Sequence, residues 1–228
     1  MKKVSIIIPA YNEKRTIAEI IERVKAVDLE KEDIKKEIIV VDDGSKDGTR
    51  DILKEIKGIT LITHEKNKGK GSAIRTGLEK STGDIFIIQD ADLELNPAEY
   101  PQLLEPILKG ETEVVYGSRY LKNPHVNLLS MLANTAVTQT ANLLYGLKIT
   151  DEATGYKVFT RNILNSITLT CTRFEFCPEF TAKIAKKGFK IVEVPVSYRY
   201  RRPDEGKKVG WKDGFEALWT LIKYKFID

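Results

Sequence analysis

Asp90-Ala91-Asp92 sets two carboxylates one residue apart, just past the apolar run Ile85–Ile88. At the exit of a buried strand such a pair can lean toward one hard cation, and oxygen donors suit Mg²⁺ or Mn²⁺. No thiol or imidazole stands nearby in sequence to argue for a softer metal. The useful work of such an ion is to neutralise a diphosphate and make it a better leaving group. A bare Asp-x-Asp also fits a solvated turn or a helix cap, so its context decides. Asp42-Asp43-Gly44-Ser45 is a second acidic loop, where a carboxylate can accept hydrogen bonds from a base or ribose. One of Asp42, Ser45 or Asp47 also suits the N-cap of a helix starting near Lys46. Gly69-Lys70-Gly71 would let main chain approach phosphate oxygens closely. Its pattern is neither G-x-G-x-x-G nor a P-loop, so dinucleotide and ATPase readings are weak.

These loops are placed by the elements between them. Val4–Ile8 is a continuous apolar run, as in a strand buried on both faces of a parallel sheet. Ile17, Ile20, Ile21 and Val24 form a helical stripe within Lys14–Val27. The series continues with strands over Ile38–Val41, Ile59–Thr63, Ile85–Ile88 and Val114–Tyr116, and helices over Asp47–Ile56, Gly71–Lys80 and Pro97–Leu108. Such alternation predicts an α/β fold, a mostly parallel central sheet with helices on both faces. Ligands of such sheets lie beyond the carboxyl ends of the strands, and five successive strand ends here carry acidic, basic or glycine-rich loops. The later chain predicts a long helix over Asn127–Leu147, a polar turn Asp151–Lys157 leading into a short strand, a helix over Phe176–Lys187, and a strand over Ile191–Tyr200 interrupted by Pro195. His64 and His125 have no partner by spacing.

Composition narrows the classes. The chain has 228 residues, 42% hydrophobic and 31% charged, which suits a packed core and excludes disorder. A net charge of +4 is no footprint for nucleic acid. Two cysteines make no disulfide framework, so reduced cytoplasmic thiols are expected. No secretory signal or 18-residue apolar stretch is present, and no linker or repeat divides the chain. One domain over 1–228 is expected.

Taken together, Pro9-Ala10-Tyr11-Asn12-Glu13, Val40-Val41-Asp42-Asp43-Gly44-Ser45, Asn67-Lys68-Gly69-Lys70-Gly71 and Gln89-Asp90-Ala91-Asp92 resemble the inverting family-2 glycosyltransferases of GT-A fold. Gly117-Ser118-Arg119 and Thr154-Gly155-Tyr156-Lys157 narrow the resemblance to the polyprenyl-phosphate branch, similar to dolichyl-phosphate mannose and glucose synthases. It covers roughly residues 4–202. The resemblance implies a nucleotide-sugar half over 1–120, an acceptor half over 121–202 and an amphipathic segment over 203–228. Pro9, Tyr11, Glu13, Val41 and Asp43 would hold base and ribose, with Lys70, Asp90, Ala91, Asp92 and Arg119 completing the donor site. Asp90 and Asp92 would bind Mg²⁺ or Mn²⁺, joined by Glu94, which stands where the mannose synthases often carry Gln. GDP-mannose or UDP-glucose would be the donor. Arg199, Arg201 and Arg202 would reach phosphate, although the family's usual Gly-Glu-Ser-Lys continuation is replaced by Pro203-Asp204-Glu205-Gly206-Lys207-Lys208.

Asp92, Arg119 and Asp151 are the residues expected at the reaction itself. A lipid phosphate is already anionic at pH 7 and needs positive charge to approach a second anion, which Arg119 and the Arg199–Arg202 cluster can provide. A saccharide hydroxyl, as in cell-surface polysaccharide synthesis, would instead need a carboxylate base, with Asp151 and Glu152 as candidates. Between Arg199 and Phe226 eight basic residues face four acidic ones, and Trp211, Phe215, Leu218, Trp219, Ile222 and Phe226 recur at helical spacing. That composition suits a helix lying in a membrane interface, and equally one docked on the core or on a second copy. The expected location is cytoplasmic, peripheral on the inner face of the membrane.

Overall fold

The computed structural model describes residues 2–30, 33–121, 128–200 and 210–227, with the side chains of 128–130 and 211 left aside. Arg201, Arg202, Lys207, Lys208 and His125 lie outside the described residues.

β1 (Lys2–Ala10), β2 (Ile34–Asp42), β3 (Thr60–Thr63) and β4 (Ile85–Ile88) alternate with α1 (Ile17–Ala26), α2 (Thr49–Glu55) and α3 (Lys70–Lys80). α4 (Tyr100–Leu108), entered through a 3₁₀ turn at Pro97–Glu99, leads to β5 (Val114–Ser118), and α5 (Leu128–Tyr145) follows. β6 (Lys157–Thr160), α6 (Arg161–Ser166), α7 (Phe176–Lys186), β7 (Ile191–Pro195) and α8 (Trp211–Phe226) complete the series. The strands form one seven-stranded sheet in the order β3-β2-β1-β4-β6-β5-β7.

β1, β2, β3 and β4 pair parallel, as do β5 and β7, while β6 runs antiparallel between β4 and β5. This single reversal matters for the site. Because β6 runs backwards, its leading end lies at the carboxyl ends of β4 and β5. The polar turn before Lys157 therefore joins the same rim as the loops after the other strands.

Side chains alternate across each strand and feed two cores. Ile6 and Ile8 pack with Ile20, Val24, Leu103 and Leu104 of α1 and α4. Ile7, Ile39 and Val41 face the other way, onto Ile74 and Leu78 of α3 and Phe176 and Phe180 of α7. A third cluster, Val137, Ala141, Ala182, Leu221 and Tyr224, binds α5 and α8 to the outside of α7. The expected strand over Ile191–Tyr200 stops at Pro195, and only an isolated bridge, Leu95 to Tyr198, continues it. α6, six residues long, was not predicted, being too short to show a period.

Candidate active site

The loops after β1 and β2 are laced together. Asn12, held at φ 51°, donates its N–H to Ser45 Oγ and accepts from Lys46 N, both at 2.9 Å. Glu13 N donates to Thr49 Oγ1 (2.9 Å) and Lys14 N to Asp47 Oδ2 (3.0 Å). Of the expected base and ribose contacts, Pro9 and Tyr11 are half-buried at this rim, whereas Glu13 is buried and accepts from the Thr16 hydroxyl at 3.0 Å. Val41 and Ala91 turn fully into the two cores, so only their main chains can meet a ligand. α2 starts at Thr49, later than expected, and Asp47 Oδ1 accepts its first N–H at 3.0 Å.

Asp43 lies buried just past β2. Expected to hold base or ribose, its buried carboxylate already accepts from His64 Nδ1 (2.6 Å), Lys68 N (2.9 Å) and Gly69 N (2.8 Å). His64 is thus a partner after all, with its other nitrogen 3.0 Å from Thr76 Oγ1. Asp43 fixes the glycine loop against β2.

The glycine loop packs closely on the chain before α7. Gly71 N donates to Arg173 O and Ser72 N to Thr172 O, each at 2.9 Å, so two N–H groups of the first turn of α3 are spent on the chain before α7. A Cβ on Gly69 or Gly71 would collide with the main chain of Thr172 and Arg173, which is why both are glycine. What the loop does present to the site is the Lys70 ammonium, 2.5 Å from Asp90 Oδ1. Burial works against that charge, but Asp90 outweighs it and raises the lysine above its usual range.

Asp90 and Asp92 sit where β4 ends. Gln89, wholly buried, accepts from Tyr100 OH (2.7 Å) and Tyr156 OH (2.8 Å) and donates to Asp90 O (2.9 Å), which fixes the strand exit. A Cβ on Gly155 would strike Asp90 Oδ2, so the turn before β6 closes directly on this carboxylate. Burial, then the charges of Asp90 and Glu94, push the Asp92 carboxyl up to about 7. Crowded carboxylates of this kind are what a divalent cation relieves, and their hard oxygens fit Mg²⁺ or Mn²⁺. Glu94, expected as a third ligand, accepts from Tyr198 OH at 2.9 Å. Among the described residues no three Asp, Glu, His or Cys side chains converge as a metal-holding group. The fit therefore rests on the pair.

Beyond β5, Arg119 lies on Asp151. The buried carboxylate accepts from Arg119 Nε and Nη2, both at 2.7 Å, from Arg119 N at 3.0 Å, and from Asn134 Nδ2 at 3.2 Å. Asp151, a candidate base by sequence, has both oxygens engaged by these four donors and holds the guanidinium in place. Glu152 turns inward, wholly buried, with Oε1 accepting from Thr181 Oγ1 at 2.9 Å. The Arg119 guanidinium is also flanked by Tyr198, 5.1 Å from its ring centre. Arg199 is exposed and its N–H donates to Glu94 O at 2.9 Å, while Arg201 and Arg202 lie outside the described residues.

A profile of the family "Glycosyl transferase family 2" matches residues 5–168. The chain belongs to that family. A UDP-N-acetylglucosamine–dolichyl-phosphate N-acetylglucosaminyltransferase of Methanococcus voltae is 30% identical, over 98% of this chain and 96% of that protein. A dolichol-phosphate mannosyltransferase of Pyrococcus furiosus is 32% identical over 98% of this chain and 64% of its own length. In fold, glucosyl-3-phosphoglycerate synthase of Mycobacterium tuberculosis, solved with UDP, superposes with a TM-score of 0.78 at 22% identity, covering 100% of this chain and 81% of that one. The GT-A fold expected from the motifs is the fold observed.

In this glycosyltransferase several residues outside the expected site set position it. Lys157, wholly buried, donates its ammonium to Glu152 O (2.8 Å) and Thr154 O (3.4 Å), and so shapes the turn carrying Asp151 and Gly155. Glu193 of β7 accepts from Asp151 N (3.0 Å) and Thr150 N (2.7 Å). Asn134, Tyr198 and His64 complete the set. Only a buried lysine within an apolar strand could have been flagged beforehand, since such a charge needs fixed partners.

Proposed function

We infer that this glycosyltransferase moves a hexose, mannose or glucose, from a nucleoside diphosphate sugar to a polyprenyl phosphate, with inversion. The carrying observation is the state of the two candidate bases. Asp151 is engaged by Arg119 and Asn134, and Glu152 is turned into the core. A hydroxyl acceptor needs a free base; an ionised phosphate needs a fixed cation, which Arg119 is. The names of the relatives in Methanococcus and Pyrococcus support a dolichyl phosphate acceptor.

Asp90 and Asp92 would hold Mg²⁺ or Mn²⁺, which when bound supplies Lewis-acid neutralisation of the departing diphosphate. Lys70 adds positive charge beside them, and Gly155 keeps Asp90 in place. Tyr198 ties Glu94, and with it the loop after Asp92, to the segment that leads toward Arg201 and Arg202. Arg119, held in one orientation by Asp151, would meet the incoming phosphate without having to rearrange.

A membrane surface is the natural place for such an acceptor, and α8 supports it. Its buried side carries Leu221 and Tyr224. Its opposite side exposes Phe215 (67%), Trp219 (65%), Ile222 (40%) and Phe226 (81%), with Lys212 and Lys223 exposed alongside. An outward aromatic stripe edged by lysines matches interfacial helices. Among the described residues no helix is long and apolar enough to cross a bilayer. The test is sugar transfer with Mn²⁺ from GDP-mannose, UDP-glucose or UDP-N-acetylglucosamine, followed by organic extraction. A labelled, acid-labile lipid from one donor supports the reading and fixes the sugar; donor hydrolysis without any lipid product rejects it.

A further inference from the structure

Lys70 stands on the carboxylate that the cation would need. Its Nζ lies 2.5 Å from Asp90 Oδ1, and the other oxygen, Oδ2, abuts Gly155 so closely that a methyl group there would collide. A divalent ion ligated through Oδ1 meets an ammonium already in contact, and two positive centres at that range repel strongly. The backbone around Lys70 cannot shift to relieve them. Gly69 N is held by Asp43 Oδ2, Gly71 N by Arg173 O and Ser72 N by Thr172 O. Only the four-carbon side chain can move, and a lysine head is a mobile point charge that follows the nearest anion.

We propose that Lys70 couples the two ligands: it neutralises Asp90 when no nucleotide is bound and transfers to the diphosphate when one arrives, releasing Asp90 Oδ1 for the divalent cation. Metal and nucleotide then bind in a mutually dependent way, because each removes a cost to the other. The coupling must be equal in both directions, metal on nucleotide and nucleotide on metal. This inference rests on Asp90 and Asp92 as the metal pair.

Mn²⁺ titration of the wild type, Lys70→Met and Lys70→Arg by calorimetry and Mn²⁺ electron paramagnetic resonance tests it, alone and with saturating UDP or GDP. Without nucleotide, Lys70→Met binds Mn²⁺ about tenfold tighter or more than the wild type, since one facing charge is gone. Lys70→Arg, which keeps the charge, stays near the wild type. The gain in Mn²⁺ affinity on adding nucleotide shrinks in Lys70→Met by a similar factor. Lys70→Gln serves the same purpose should the methionine variant fail to fold. Mn²⁺ affinity unchanged or weaker in a folded neutral variant overturns the coupling while leaving the metal pair intact. Wild-type protein that binds no Mn²⁺ even with UDP or GDP overturns both.

Discussion

Replacing Asp151 by Asn separates an anchor from a base. The carboxylate is fully buried and its arginine partner's side chain is only 16% exposed. Asn preserves the shape but removes the charge and sets an amide N–H₂ where an acceptor faced Arg119. Removing one partner of a buried pair costs about 3–5 kcal/mol, and the slight exposure of Arg119 favours the lower end. For a chain of 228 residues each kcal/mol lowers Tm by about 2–4 °C, so a fall of ~6–12 °C is expected by calorimetry. A guanidinium displaced by an ångström costs on the order of 10²-fold in turnover. Arg119→Met should lose a comparable amount. The double variant should be no slower than either single one, and should regain stability because both charges leave together. Asp151→Asn with wild-type Tm and a turnover loss that multiplies with that of Arg119→Met would refute the anchor and restore Asp151 as a base.

Three further outcomes follow from the geometry. Gly155→Ala presses a methyl on Asp90 and should weaken Mn²⁺ binding about tenfold, the equivalent of ~1–3 kcal/mol of overpacking; unaltered Mn²⁺ affinity contradicts the contact. Burial opposes the charge of Glu179, but Lys183 at 2.6 Å, Thr170 and Cys171 outweigh it and hold its carboxyl at about 2 instead of 4.5. Its contribution is therefore complete above pH 4.5 and lost as pH falls toward 2. Glu179→Gln should cost ~3 kcal/mol at pH 7 and flatten the acid limb of the stability profile, whereas a variant as acid-sensitive as the wild type counts against it. Phe215→Ser with Trp219→Ser should leave stability within ~0.5 kcal/mol, both side chains being about two-thirds exposed, while abolishing sedimentation with anionic vesicles; a large drop in Tm would mean the stripe packs inward.

How far the sequence reached depended on the range of the interaction. Val4–Ile8 and Ile85–Ile88 were legible because strands buried on both faces are continuous apolar runs. The order of the strands was not. β6 lies antiparallel between β4 and β5 through pairings such as Ile87 with Val158, 71 residues apart, and no local pattern encodes that. Asp90-Ala91-Asp92 could be read as a site, but Lys70 and Gly155 close on it from two separate segments. Glycines at 69 and 71 signalled a close approach, read as one to phosphate; the approach the fold shows is to the chain at Thr172 and Arg173. Asp43 and Asp151 looked like free carboxylates because His64 and Arg119 reach them only in the folded chain. The helical spacing of α8 was plain, yet the same stripe suited a membrane interface, the core or a second copy. Which side faced outward depended on where Val137, Ala182 and Leu221 met.

The most direct measurement is acceptor discrimination. Purified protein, Mn²⁺ and the active labelled donor are offered polyprenyl phosphate, the corresponding polyprenol, and an oligosaccharide in parallel. With Asp151 engaged by Arg119 and Asn134, and Glu152 buried away from the rim, label should enter the phosphate lipid alone, and the product should carry an inverted anomeric linkage by NMR. Transfer to polyprenol or to the saccharide hydroxyl at a comparable rate would contradict the account.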